Sequence, residues 1–367
     1  MIELRSFNAA ELARLVQAPE YRDWPHLPIS IHRGISHAHN PRRSPDDVLL
    51  LLAYRGDTMV GYLGMLPDRL YFPEGTEKAA WLSCLWVDPA QRGQGISKKL
   101  VRRGLELYGG RILVTEFTVP AERLYDRLEA FTSLQIKEGA RFYRRLDLAE
   151  ILGKRGGIWA KIKGLLRGVD LLVNAVLDLR FAGEREDLGA YTWEETAGID
   201  PAAEAFIAEH RIGEELFRRE AEELNWMREY PWLVVGAPDA MSRKYVFSSV
   251  ADAHSTHFVR VKDRAGKLVM LFLFLRRNGN LKVNYFYAAP GREGDAVRIL
   301  RQHLRKWRVK TLLLYQPALL RAIGSGRLGS LHRRPALRKY IIGKVLADRI
   351  AGREFVIQDG DGDCGFT

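Results

Sequence analysis

Residues 82–100 read LSCLWVDPAQRGQGISKKL. The run Trp81 to Val87 has the length and apolar content of a strand, and Asp88-Pro89 ends it. A turn holding Gly93 and Gly95 follows. A helix is expected at once, from Ser97 to Tyr108, stopped by Gly109-Gly110. A strand–turn–helix of this kind leaves the first main-chain N–H groups of the helix without carbonyl partners. They face one spot, where the helix dipole adds partial positive charge and glycine lets a ligand approach. Lys98 and Lys99 add formal charge beside it. The turn is therefore a candidate cradle for a diphosphate. It lacks the Gly-Lys-Ser/Thr ending of a nucleotide-triphosphate loop and the three-glycine dinucleotide fingerprint.

The flanks give this unit a setting. Residues 2–7 are strand-like, and Asn8 caps a helix with Leu12, Leu15 and Val16 on one face. Pro19 to Pro45 reads as irregular chain or short helices. Val48 to Tyr54 and Met59 to Met65 form a hairpin around Arg55-Gly56-Asp57-Thr58. After the loop-helix unit come a buried strand, Ile112 to Phe117, and a helix opened by Pro120, Ala121 to Leu128. Phe142 to Leu148 is expected as the closing strand.

In this setting Arg92-Gly-Gln-Gly95-Ile-Ser97, after a strand ending Val87-Asp88-Pro89, resembles the acetyl-CoA loop of the GNAT superfamily of N-acetyltransferases. That loop reads Gln/Arg-x-x-Gly-x-Gly/Ala; Arg92 and Gly95 match, and Ser97 replaces the last small residue. The resemblance covers about residues 1–148. It implies that acetyl-CoA is the cosubstrate, with the N–H groups of Gly93, Gln94, Gly95, Ile96, Ser97 and Lys98 on its pyrophosphate. It also implies that the main chain of Leu85, Trp86 and Val87 pairs with the pantetheine arm, and that the Val87 N–H polarises the thioester carbonyl. Tyr125 matches the tyrosine that protonates the leaving thiolate, a step that needs an acid near sulfur; a core aromatic is the plainer reading of it. The amine must first lose a proton. The family often has a Glu on the strand before the loop, where this chain has Ser83 and Cys84. Glu116 on the next strand is then the nearest carboxylate, with a water-relayed base as the alternative. Cys84 has no neighbouring His in sequence to activate it and reads as a buried thiol. Ala130-Phe131 stands where the family often has Gly-Phe.

The order of strands, helix and strand returns around residues 245–315, with runs at Tyr245 to Ser249, Thr256 to Lys262, Lys267 to Arg276 and Asn280 to Tyr287. A helix, Gly294 to Trp307, and a strand, Thr311 to Tyr315, follow. At the place of the loop stands Ala288-Ala-Pro-Gly-Arg-Glu-Gly-Asp295. Pro290 removes a donor, and Glu293 and Asp295 repel phosphate. The expected fold class is therefore α/β with a mixed sheet, as tandem GNAT-like acyltransferase domains, the second lacking the CoA loop. The expected division is 1–150 as the acetyltransferase domain, 151–189 as a basic amphipathic helical linker, 190–350 as the second domain and 351–367 as an acidic tail. Residues 190–235 look helical. Ile158 to Phe181 reads as one long helix with an apolar stripe and Lys161, Lys163 and Arg167 near its start; it either packs between domains or lies on an anionic membrane surface. The tail Asp359-Gly-Asp-Gly-Asp363 resembles the start of a calcium loop without its closing Glu and reads as a flexible acidic end, with folding against the basic segment as the option beside it.

Composition sets the limits. The 367 residues exceed one ordinary domain, and 47% hydrophobic with 28% charged residues excludes a mostly disordered chain. Two cysteines exclude a disulfide scaffold and a multi-cysteine zinc site. His254, His257 and His303 are too dispersed for a metal, so no metal is expected. No signal peptide pattern opens the chain and no long apolar run occurs, so no membrane span is expected and a cytoplasmic protein is the default. The net charge is +12, and Val297 to Arg349 holds fourteen Lys or Arg against one acid, Asp348. That segment is either a solvated basic face or a site for an anionic partner. The leading functional reading is transfer of an acetyl group from acetyl-CoA to an unidentified primary amine, by direct attack. A homodimer is an open option. The competing readings are an aminoacyl-tRNA-dependent transferase of the tandem type and a non-catalytic acyl-CoA sensor.

Overall fold

The computed structural model describes residues 1–153, 155–183, 188–326 and 328–366. The chain divides into two compact units: Met1–Lys137 with Ala197–Thr256 and Leu337–Thr367, and Glu138–Thr196 with His257–Ala336. In chain order the first unit contains β1 (Glu3–Phe7), α1 (Ala9–Gln17), α2 (Ile31–Ala38), β2 (Leu50–Arg55), β3 (Thr58–Phe72), β4 (Gly75–Val87), α3 (Ile96–Leu107), β5 (Ile112–Thr115) and α4 (Val119–Leu128). β6 (Phe131–Tyr143) then carries the chain into the second unit. There follow α5 (Leu148–Gly153), α6 (Ile158–Lys161), α7 (Lys163–Gly183) and β7 (Tyr191–Thr196). The chain returns to the first unit for α8 (Pro201–Glu209), α9 (Ala221–Glu229), β8 (Val234–Val235) and β9 (Val250–Ala251). β10 (His254–Asp263), β11 (Leu268–Arg277), β12 (Asn280–Ala288), α10 (Glu293–Lys306), β13 (Thr311–Leu314) and α11 (Pro317–Ile323) lead to β14 (His332–Gly343) and α12 (Ala347–Ile350).

In the first unit the strand order is β1-β2-β3-β4-β5-β14-β6, counting β6 to Lys137 and β14 from Leu337. β1 to β4 are antiparallel neighbours, β4 and β5 are parallel, and β5 and β14 are antiparallel. Strand alternation sends Leu50, Leu52 and Tyr54 of β2 to one face, beneath Leu12 and Val16 of α1. Leu51 and Ala53 go to the other, beneath Ile96, Leu100 and Val101 of α3. The strand is apolar on both faces because both are covered, as in the interior of a layered α/β sheet. Each fully buried leucine contributes about 1.5–3 kcal/mol, so β2 anchors both layers.

The second unit repeats the order: β7, β10, β11, β12, α10, β13, α11. Its strands run β14-β6-β13-β12-β11-β10-β7, with β12 and β13 parallel and β6 supplying Arg141 opposite Leu313. The fold is thus mixed α/β, and the succession of four strands, helix, strand and helix occurs twice, with α1 and α2 inserted after the first strand of the first unit.

Several local expectations change. The closing strand runs Phe131–Tyr143 and not from Phe142, because Phe131 to Ile136 carry too few apolar residues to stand out from a loop. Tyr191-Thr-Trp-Glu-Glu-Thr196 is a strand inside the stretch expected to be helical; its aromatic and β-branched residues are the signal that its glutamates obscure. Tyr245 to Ser249 is not a strand; only Val250–Ala251 pairs, with Val234–Val235. The long helix is broken at Ile162 into α6 and α7. Lys154, residues 184–187 and Arg327, which fall in the linker and in the basic segment, lie outside the described residues. Among the described residues no helix is long and apolar enough to cross a membrane.

The acidic end is packed and not flexible. Asp359, Asp361, Cys364 and Phe366 are buried in the first unit. Arg219 donates to both oxygens of Asp68 on β3, at 2.8 and 2.7 Å, and to Asp361 at 3.0 Å. Arg338 of β14 pairs with Asp359, the Lys137 ammonium donates to the Ile357 carbonyl, and Gln358 donates to Glu215 at 2.9 Å. The Phe366 ring stacks on Trp232 with centroids 4.3 Å apart.

Candidate acyl-CoA site

The site begins where two parallel strands part. β4 and β5 pair only at Ala80 with Ile112 and Trp81 with Leu113. β4 continues to Val87 while β5 stops at Thr115. Asp88 N–H donates to the Val60 carbonyl at 3.0 Å. By antiparallel alternation the Val87 N–H therefore points away from β3, toward the edge that β5 has left.

The separation is built on a bulge. The β3–β4 register shifts between Tyr62 and Gly64, and Cys84 takes a left-handed φ of 50°. Gly64 makes room for it: a Cβ there would lie 2.8 Å from the Ser83 carbonyl oxygen and 2.8 Å from the Cys84 sulfur. Burial raises the Cys84 thiol above its ordinary value, with Arg33 working against that. A buried neutral thiol is no nucleophile.

Beyond β4 a short turn, Pro89–Gln91, leads into the glycine loop. Gly93 has φ 80° and Gly95, the residue before α3, has φ 75° with ψ 11°. At both, a Cβ would meet nothing within 4 Å. Backbone conformation, and not crowding by the protein, therefore demands glycine, and the space above the loop is open. The first intrahelical bond is Lys99 N–H to the Gly95 carbonyl, 3.0 Å. The N–H groups of Gly93, Gln94, Gly95, Ile96, Ser97 and Lys98 have no acceptor among the described residues. Six consecutive donors stand at the positive end of a twelve-residue helix, and the space beside Gly93 and Gly95 is open. The Arg92 side chain is not engaged there, and Arg55 reaches the Gln94 side chain from β2.

Tyr125 sits on α4, buried, between Phe117 and Phe131 with ring centroids 5.7 and 5.3 Å away. It lines a cavity of about 230 Å³ together with Phe117, Phe131 and Tyr340. Burial, with the Asp363 carboxylate adding to it, raises its phenol above the ordinary value. The phenol therefore holds its proton at any working pH. Glu116 takes a φ of 50° just past β5 and pairs with Arg338 at 2.8 Å. Its carboxylate is thus committed to a guanidinium that Asp359 also holds.

The sequence reading missed the groups that tertiary folding brings in. Arg33 of α2 is buried beneath the bulge. It bonds the Ser83 hydroxyl, reaches Tyr245 at 3.4 Å, lies 3.7 Å over the Trp232 ring and sits 3.9 Å from Asp363. Asp363 therefore stands at the bulge, near Tyr125, although 238 positions separate the two in sequence. Only Gly64, an isolated glycine in a strand run, could have announced the bulge beforehand. Beside Tyr245 opens a larger cavity of about 460 Å³, lined by Leu27, Ile31, Val235, Met241 and the hydroxyls of Ser30 and Ser249.

In the second unit the first turn of α10 carries the acids Glu293 and Asp295. Asp295 accepts from Tyr191 and Arg298. The basic run is discharged in part. Six of its fourteen cations, Arg298, Lys306, Lys310, Arg338, Lys339 and Arg349, pair with acids from elsewhere in the chain.

Residues 9–130 match the model of the Acetyltransferase (GNAT) family. This part of the chain is a GNAT acetyltransferase domain. Among solved structures, the chain is similar to a tandem GNAT protein from the clavulanic acid biosynthesis pathway: 15% identity, 93% of this chain and 98% of that one, TM-score 0.48. It is also similar to a GCN5-related N-acetyltransferase from Kribbella flavida, at 13% identity over 93% of this chain and 71% of that one, TM-score 0.48. A third is N-myristoyltransferase from Saccharomyces cerevisiae with bound myristoyl-CoA, at 11%, 93% and 82%, TM-score 0.46. No curated protein matches the sequence.

Proposed function

We propose that the first unit transfers an acetyl group from acetyl-CoA to a primary amine by direct attack. The observation that carries this reading is the run of six unpartnered amides, Gly93 to Lys98, beside the parted strands β4 and β5. The GNAT family match over the same residues supports it. The group fits: two linked phosphates need several convergent donors and close backbone approach, and both are available. A bound acyl-CoA supplies the activated thioester. Leu85, Trp86 and Val87 offer a strand edge to its arm, and the Val87 N–H donates at the carbonyl oxygen. Tyr125, kept protonated by burial, gives its proton at the departing sulfur. A carboxylate takes the proton from the incoming ammonium group: Asp363, whose Arg33 neighbour is 3.9 Å away, before Glu116, which Arg338 holds at 2.8 Å, with a water relay as the alternative.

The cavity beside Tyr245 leads the acceptor in. Its apolar walls and two serine hydroxyls suit an amine with an apolar body. The aminoacyl-tRNA alternative rests on the basic run alone, and six of the fourteen cations of that run already pair with acids. The test is thiol release from acetyl-CoA and longer acyl-CoAs against a panel of amines. Amine-dependent release supports the proposal; binding of acyl-CoA without release under any amine leaves a sensor instead.

A further inference from the structure

α7 is built the wrong way round for a helix in water. Its polar residues face the protein: Asp170 accepts from the N–H groups of Leu148 and Ala149 at 2.9 Å each, capping α5. Asn174 exchanges two 2.9 Å bonds with Leu146, and Asp178 pairs with Arg145. Leu166, Leu177 and Phe181 share this docked side. The opposite side is apolar and exposed: Leu165 69%, Leu172 73%, Val176 66% and Leu179 76%. Leu171, turned toward the next side of the cylinder, is 73% exposed, so the face is wide. Just before it, Ile158 and Trp159 of α6 are exposed too. A face of this kind marks a surface that something apolar covers.

Charge selects the covering. Lys161, Lys163, Arg167 and Arg180 are the cations of α6 and α7, while of the two acids of these helices Asp170 is buried and bonded and Asp178 is paired with Arg145. We propose that α6 and α7 dock the protein on an anionic phospholipid surface, apolar stripe in the acyl boundary and Lys and Arg among the headgroups. The spacing Leu165, Val169, Leu172, Val176, Leu179 also suits a helix seam. A second copy, however, would bring arginine against arginine, and Leu171 lies outside so narrow a seam.

The test is flotation of the full chain with phosphatidylcholine vesicles, with and without phosphatidylglycerol. The account expects binding to the anionic vesicles and at least roughly tenfold weaker binding to neutral ones or after the double reversal Arg167→Glu/Arg180→Glu. Leu172→Glu, which touches nothing in the docked side, should abolish binding with an unchanged melting temperature. No binding to anionic vesicles overturns the proposal, as does full binding by Leu172→Glu. A concentration-dependent dimer that Leu172→Glu disperses, without vesicle binding, assigns the face to a second copy and overturns it equally.

Discussion

Glu215 is the group through which pH should act on the C-terminal segment. It is buried, accepts from Gln358, and has Arg211 at 3.5 Å. Burial raises its carboxyl from the ordinary 4.5 to about 7. An acid raised in this way favours folding most when it is protonated in both states, below pH 4.5. The benefit is lost as the pH rises toward 7, because the unfolded chain ionises first. The displacement of roughly 2.5 pH units, at about 1.36 kcal/mol each, sets a ceiling of about 3.4 kcal/mol. Local relaxation and water penetration around the ionised carboxylate reduce the realised cost to about 1–3 kcal/mol. Glu215→Gln keeps the acceptor for Gln358 and removes the charge. At about pH 3.5, below both values, the variant should match the wild type. At pH 8 its segment 356–366 should exchange amide hydrogen more slowly, by roughly five- to a hundredfold, on the same energy scale. Comparison at one pH cancels intrinsic exchange. Equal protection at pH 8, or faster exchange in the variant, would refute the reasoning.

Other expectations follow from the same geometry. Tyr125→Phe should lower kcat by about 100-fold with little change in the KM for acetyl-CoA, read by thiol release; an unchanged kcat would remove the phenol from the chemistry. Asp363→Asn should lower kcat by about 100-fold, read by thiol release; an unchanged kcat would return the role to Glu116 or water. Gly64→Ala should cost about 1–3 kcal/mol in urea unfolding, since its methyl group meets the Ser83 carbonyl at 2.8 Å. Gly95→Glu should lose acetyl-CoA binding at least roughly tenfold, one hydrogen-bonded anion contact being worth about 1.5–3 kcal/mol, while its far-UV circular dichroism stays that of the wild type.

The loop and its helix were legible because glycine spacing, strand and helix adjoin in sequence. The repeated order of elements was legible for the same reason: each hairpin and loop-helix unit is local. The strand passing from one unit to the other was not, since nothing in Phe131 to Tyr143 tells which neighbour its hydrogen bonds seek. Folding of the acidic end against the basic segment was a legible option, which the Asp359–Arg338 pair meets, but its burial was not legible. Asp359, Asp361 and Asp363 look like a solvated tail until Arg219, Arg338 and Arg33, from three distant segments, are seen to hold them. Buried ion pairs of this sort leave no periodicity. The apolar stripe of α7 was visible, but which side docks was not, because Asp170 and Asn174 form their bonds with chain more than twenty residues away.

The most direct test of the account is a titration of the isotopically labelled protein with coenzyme A, followed by amide chemical shifts. The amides of Gly93 through Lys98 should move together and saturate at one Kd, and pantetheine, which has no diphosphate, should leave them in place. Saturation by coenzyme A with those six resonances unmoved would contradict the assignment of the site.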